Sequence, residues 1–246
     1  MGVTAPDADA ERHALLDAIE RGAETALELA RWMHANPELS LEERETSARF
    51  QYCLASSGFE VQAGVAGMPT AFRATWGSAQ APLAAALLAE MDALPEIGHA
   101  CGHNLSGPAS LLAARALGSV LREDDLRLVV VGTPAEETGI GKRRLVEAGV
   151  FDGIDVAMMA HASDMRRAHR LFLGNRKFEF VFHGHSAHAA AYPERGVNAL
   201  DGVIAYFVAV GLLRQQLPRD VRIHGIVSDG GRAPNVIPER AAARVW

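Results

Sequence analysis

Apolar residues recur in two rhythms along this chain, and the switches between them outline its elements. Leu15, Leu16, Ile19, Ala23, Ala26, Leu27, Ala30 and Met33 fall at helical spacing. That period predicts a helix over residues 7–34 with those side chains on its apolar face, stopped by Asn36-Pro37. A second helix is expected over 40–57, with Ser40 and Glu43 at capping-box spacing and Gly58 beyond its end. Cys53 falls on its apolar face and reads as core. Residues 59–63 and 70–76 read as strands. Three short, continuous apolar runs follow at 83–88, 126–131 and 154–160. They have the composition of strands buried on both faces, and helices over 108–121 and 139–148 separate them. The alternation predicts an α/β fold with a mostly parallel sheet.

Near residue 174 the pattern changes. Residues 176–182 alternate apolar and charged, as in an antiparallel strand with one solvated face. A long apolar helix is expected over 197–217, with further strands at 221–227 and 241–246. The chain therefore divides into a larger α/β unit, 1–174, and a smaller α+β unit, 175–246.

Composition narrows the partners. The chain has 246 residues, 49% of them hydrophobic, and a net charge of -6. Its basic residues are scattered and almost all arginine, with Lys142 and Lys177 the only lysines. No basic stripe exists to bind nucleic acid or an anionic membrane. The two cysteines, Cys53 and Cys101, lie in different contexts and make no disulfide framework. Neither a signal peptide nor a membrane span is visible, so the cytoplasm is the expected compartment.

Chemistry gathers where the three apolar runs end. The first leads into Asp92 and then His99-Ala-Cys101-Gly-His103-Asn104, the second into Glu136-Glu137, and the third into His161. Thiolate, imidazole and carboxylate are ligands that Zn²⁺ and similar ions favour. Open α/β sheets bind ligands beyond the carboxyl ends of their strands, so the recurrence points to one metal centre. Cys101 and His103 would diverge on a helix, so residues 98–104 are expected to form a loop, which Gly98 and Gly102 permit. Adjacent Glu136 and Glu137 in an extended segment would point opposite ways. Asp92 suits either a hydrogen-bond acceptor for a ligand histidine or a turn carboxylate before Pro95. His99 reads as structural.

These motifs resemble the M20 family of dinuclear metallopeptidases and amidohydrolases, in the branch of aminoacylase-like and aminobenzoyl-glutamate-hydrolase-like members. The matching stretches are H-A-N-P-E-L-S (34–40), E-M-D-A-L-P-E-I-G-H-A-C-G-H-N (90–104), G-T-P-A-E-E (132–137), M-M-A-H (158–161), S-A-H-A-A-A-Y-P (186–193), G-V-N-A-L-D (196–201) and P-N-V-I-P (234–238). Asn104, where many relatives carry Asp, fits the aminobenzoyl-glutamate-like branch.

The resemblance implies a metal-binding catalytic domain followed by a lid and dimerisation domain, and two divalent ions, Zn, Mn or Co. Cys101, His103, Glu137 and His161 would be the ligands, with Asp92 behind His103. Glu136 would be the general base. His188, rather than its neighbours His183 and His185, would stabilise the oxyanion from a partner subunit, and Asn235 would contact the substrate carboxylate. The expected substrate is a small acyl-amino acid or dipeptide, and the expected assembly a homodimer built through an edge strand of the lid. The family's final histidine ligand has no counterpart here. A weakly active or inactive binding homologue is therefore the second reading, and a nucleophilic Cys101 with His103 or His99 is the rival within hydrolases.

Overall fold

The strand-forming runs at 83–88 and 126–131 are buried on both sides, and their alternation explains how. The computed structural model describes residues 8–168 and 174–246. Along β3 (Ala84–Glu90), Ala85, Leu87 and Ala89 face one apolar layer while Ala86 faces the other. Along β4 (Arg127–Thr133), Leu128 and Val130 share the first layer, and Val129 and Val131 the second. The first layer is closed by helices α1 (Ala8–Ala35), α2 (Arg44–Ala55) and α3 (His103–Val120), which contribute Met33, Phe50, Leu54, Leu111 and Ala114. The second layer takes Leu145 from α4 (Gly141–Glu147) together with Val65 and Met68. A sheet covered on both faces by helices is the layered α/β solution to burying such strands.

Among the described residues, β1 (Glu60–Ala63), β2 (Phe72–Trp76), β3, β4 and β5 (Val156–Met158) form one sheet in the order β1-β2-β4-β3-β5. β3 pairs parallel with β4 and β5, whereas β1–β2 and β2–β4 are antiparallel. The sheet is mixed, not mostly parallel, because β1 and β2 connect to each other as neighbouring antiparallel strands. Two further expectations are corrected. β5 pairs on one side only, so Val156 and Met158 are exposed at the sheet edge. In α1 the N-terminal apolar residues Leu16 and Ile19 are exposed, and only Ala30 and Met33 are fully buried.

The chain divides into two compact units, Met1–Arg166 and Arg167–Trp246. In the second, β10 (Arg240–Val245) lies between β6 (Phe178–His183) and β8 (Gly225–Asp229), all antiparallel. The expected strand at 221–227 is thus displaced toward the C-terminus. Helix α5 (Ala199–Leu213) is capped by the Asn198 side chain, which accepts from Leu200 N at 3.1 Å. It lays Ala199 and Val203 over Ala241, Ala243 and Val245. Its other face leaves Ile204, Val208 and Leu212 exposed. A small ladder pairs β7 (Ala187–His188) with β9 (Val236–Ile237).

Candidate metal centre

The site forms where parallel β3, β4 and β5 end. β3 delivers Glu90 as its last residue and Asp92 just beyond, both 1% exposed. Gly102, with φ +80°, caps α3, so His103 is the first helical residue and not part of a loop as expected. A Cβ on Gly102 would lie 2.7 Å from the Ala162 Cβ. Glycine here lets the segment after β5, which carries His161, close on the start of α3.

Beyond β4 the chain turns left-handed at Ala135, with φ +57°. Asp92 sets the next two residues: its Oδ1 accepts Glu136 N at 3.1 Å and its Oδ2 accepts Glu137 N at 3.0 Å. Ser40 Oγ also donates to Asp92 Oδ2, at 2.7 Å. These bonds overturn two expectations. Glu136 and Glu137 occupy a turn rather than an extended segment, so they do not point apart. Ser40 does not cap a helix, because α2 starts at Arg44 and Glu43, the residue before it, makes no side-chain cap. Glu43 is fully buried instead: its Oε1 accepts Ala135 N at 2.8 Å and its Oε2 accepts Thr70 Oγ1 at 2.9 Å. Pro134 approaches α4 so closely that a Cβ on Gly141 would lie 1.6 Å from its carbonyl oxygen.

His103 is fully buried. Its Nδ1 lies 2.7 Å from the Asp92 carbonyl oxygen, which can only accept, so Nδ1 carries the proton and Nε2 faces the site. His161 repeats this arrangement, with Nδ1 donating to the Ala162 carbonyl at 2.9 Å. The His103 Nε2 lies 3.2 Å from Glu90 Oε2 and 3.7 Å from Glu136 Oε2, and the His161 Nε2 lies 3.8 Å from Glu90 Oε2. Two trios result, Glu90–His103–His161 and His103–Glu136–Glu137, each with its donor atoms within 4.8 Å of one another. Cys101 joins neither trio; it is half-buried beside Glu137.

Electrostatics follow from this crowding. Burial disfavours the His103 imidazolium, but the hydrogen bond to Asp92 and the charge of Glu90 outweigh it, and the pKa is raised to about 9. Burial likewise opposes ionisation of Asp92, yet His103, Ser40 and the two backbone N–H groups hold its carboxyl below the ordinary value. The Cys101 thiol is pushed up to about 11, chiefly by its hydrogen bond to Glu137 and then by burial. Glu136 is raised by burial; Lys142 opposes the rise and Glu90 adds to it. Among the described residues, Glu90 Oε2, His103 Nε2 and Glu137 Oε1 are buried without a hydrogen-bond partner. Unsatisfied imidazole and carboxylate donors facing one another fit a divalent cation.

Glu90, Lys142 and Glu43 escaped the sequence reading of the site. Glu90 is the only charged residue of β3, and Lys142, which pairs with its Oε1, is one of two lysines in the chain. Both oddities were visible signals. Nothing in the spacing marked Glu43 as anything but a capping residue.

In the second unit, His188 and Asn235 are neighbours, since His188 pairs with Val236 across the β7–β9 ladder. Both are exposed, as are His183 and His185. The His188 Nδ1 accepts the backbone N–H groups of Ala190 and Ala191, each at 3.2 Å, which leaves its proton on Nε2.

Residues 173–245 match the M20-type peptidase dimerisation domain. The chain is similar to an Xaa-Arg dipeptidase of Mus musculus, 40% identical over 232 residues that cover 89% of this chain and 54% of the relative. It is also similar to a p-aminobenzoyl-glutamate hydrolase of Escherichia coli, at 33% identity over 92% of this chain and 51% of the relative. A dinuclear metal-binding peptidase of the M20 family from Bacillus subtilis shares the fold, with TM-score 0.60 and 20% identity over 92% of this chain and 64% of that one. The chain spans about half the length of the curated relatives it matches. No helix among the described residues is long and apolar enough to cross a membrane.

Proposed function

From its similarity to M20 peptidases over the stretch of their length that it spans, we propose that this chain is a metal-dependent amidohydrolase. Its substrates are N-acyl- or N-aminoacyl-amino acids, a class that includes dipeptides and aminobenzoyl-glutamate-like compounds. The carrying observation is that buried His103 belongs to both donor trios, which suits two ions held side by side. The relatives are named as a dipeptidase and a hydrolase, which favours this reading over a weakly active binding homologue.

Cys101, His103, Glu137 and His161 would hold the two divalent ions, Zn, Mn or Co, in this proposal. When bound, such ions lower the pKa of a coordinated water and polarise the scissile carbonyl. Cys101 would serve as thiolate, because a coordinated thiol loses its proton outright. Asp92 keeps the His103 proton on Nδ1 and so directs Nε2 to the ion. Glu136, at the rim of the trio and raised by burial, takes a proton from the attacking water and delivers it to the leaving amine nitrogen. His188 offers its Nε2–H to the developing oxyanion from a second copy of the chain, and the Asn235 amide binds the substrate carboxylate. The second unit, matched to a dimerisation domain, makes the homodimer.

The test is amidase activity of the full chain on acyl-amino acids and dipeptides, after chelator treatment and after re-addition of Zn²⁺, Mn²⁺ or Co²⁺. Activity lost to chelator and restored by metal is expected. Full turnover in chelator would overturn the proposal.

A further inference from the structure

Glu90 is a buried carboxylate that the sequence motifs left without a role. It ends β3, is 1% exposed, and divides its two oxygens between different tasks. Oε1 is held by the Lys142 ammonium. Oε2 has no hydrogen-bond partner among the described residues, although it lies 3.2 Å from His103 Nε2, an atom that also has none. The two atoms pair as ions while His103 is protonated, and without that proton they are two lone-pair donors converging on one point. The His161 Nε2 stands 3.8 Å from the same oxygen. Donors about 2.0–2.1 Å from a tetrahedral ion are separated by roughly 3.3–3.4 Å along each edge, and these spacings bracket that value.

We propose that Glu90, anchored through Oε1 by Lys142, presents Oε2 as a further ligand to the divalent ion held by His103 and His161. This deepens the hydrolase reading and rests on it. The identity of the anchor matters. A guanidinium grips a carboxylate through both oxygens, whereas an ammonium is a compact point charge that can hold one and leave the other free. In a chain whose other basic residues are almost all arginine, lysine stands at the position where the second oxygen must stay available.

The test is Co²⁺ binding by the full chain, read by equilibrium dialysis and by the visible absorption of the bound ion. Glu90→Gln keeps the shape and removes the anionic ligand. It is expected to weaken Co²⁺ binding at least about 10-fold and to alter the absorption of the remaining ion. Because Glu90→Gln strands Lys142 and could harm folding, the double variant Glu90→Gln/Lys142→Met removes both charges together. It should show the same loss of affinity and the same spectral change. Wild-type affinity and spectrum in the double variant would mean that Glu90 only neutralises Lys142, and would overturn the inference. A wild-type chain that takes up no Co²⁺ overturns both this inference and the hydrolase reading. Uptake indifferent to position 90 overturns this inference alone.

Discussion

Glu43 Oε1 accepts the backbone N–H of Ala135 at 2.8 Å, joining residues 92 positions apart in the chain. The bond pins the left-handed residue that aims Glu136 and Glu137 at the site. Glu43→Ala leaves a buried N–H unpaired, which costs about 1–3 kcal/mol. Urea denaturation should show this loss, accompanied by weaker metal binding. A variant as stable as wild type would show that the turn holds without the strut.

The same carboxyl gives a pH signature. Burial raises its pKa from the ordinary value of 4.5. The group therefore contributes stability fully below that value and loses it as pH rises through the raised one. The stability of wild type relative to Glu43→Gln should accordingly be greatest below pH 4.5 and decline as the pH rises above it. A difference that grows with pH would contradict the assigned direction.

Cys101 offers a check on the nucleophile reading. In the metal-free protein its thiol pKa of about 11 leaves little thiolate at neutral pH, and thiolate is the reactive form. Iodoacetamide should label it slowly, and Glu137→Gln should accelerate labelling by removing the negative charge that opposes ionisation. Rapid labelling of the wild-type residue at neutral pH would revive Cys101 as a nucleophile.

The adjacent glutamates should separate by function. Glu136→Gln is expected to keep bound metal and lose most turnover, a fall of about 10²–10⁴-fold if it is the base. Glu137→Gln should lose metal. Metal analysis beside kinetics decides the matter, and equal metal loss in both would mean that the roles are misassigned.

Self-association is the expected state of the second unit. β8 is an edge strand with Ile226 and Val227 exposed, and α5 exposes Ile204, Val208 and Leu212 on its outer face. Light scattering at micromolar concentration should give the mass of two chains. A monomer would leave His188 with no second copy to serve.

Much of this was legible from the chain. The continuous apolar runs announced β3 and β4, because strands buried on both faces have no polar positions to interrupt them. β5 had the same composition yet lies exposed at an edge, since periodicity reports a strand without saying how many neighbours it has. The strand-end residues Asp92, His103, Glu136, Glu137 and His161 marked the region of the site. What the sequence concealed was long-range partnership. Ser40 and Glu43 had capping spacing, and only the tertiary structure spends them on Asp92 and Ala135. The two-residue spacing of Cys101 and His103 implies a loop for both, but the helix begins between them and separates their settings.

Gly141 carries no functional group, so an inventory of reactive side chains passes over it. Its missing methyl is nonetheless what admits the Pro134 carbonyl. Any replacement must push that carbonyl away and carry Ala135, Glu136 and Glu137 with it. In a saturation mutagenesis map, position 141 should therefore tolerate substitution as poorly as the glutamates themselves, with alanine already damaging. Loss of function there would be inherited through backbone displacement, a constraint invisible to any search that scores residues by what their side chains can do.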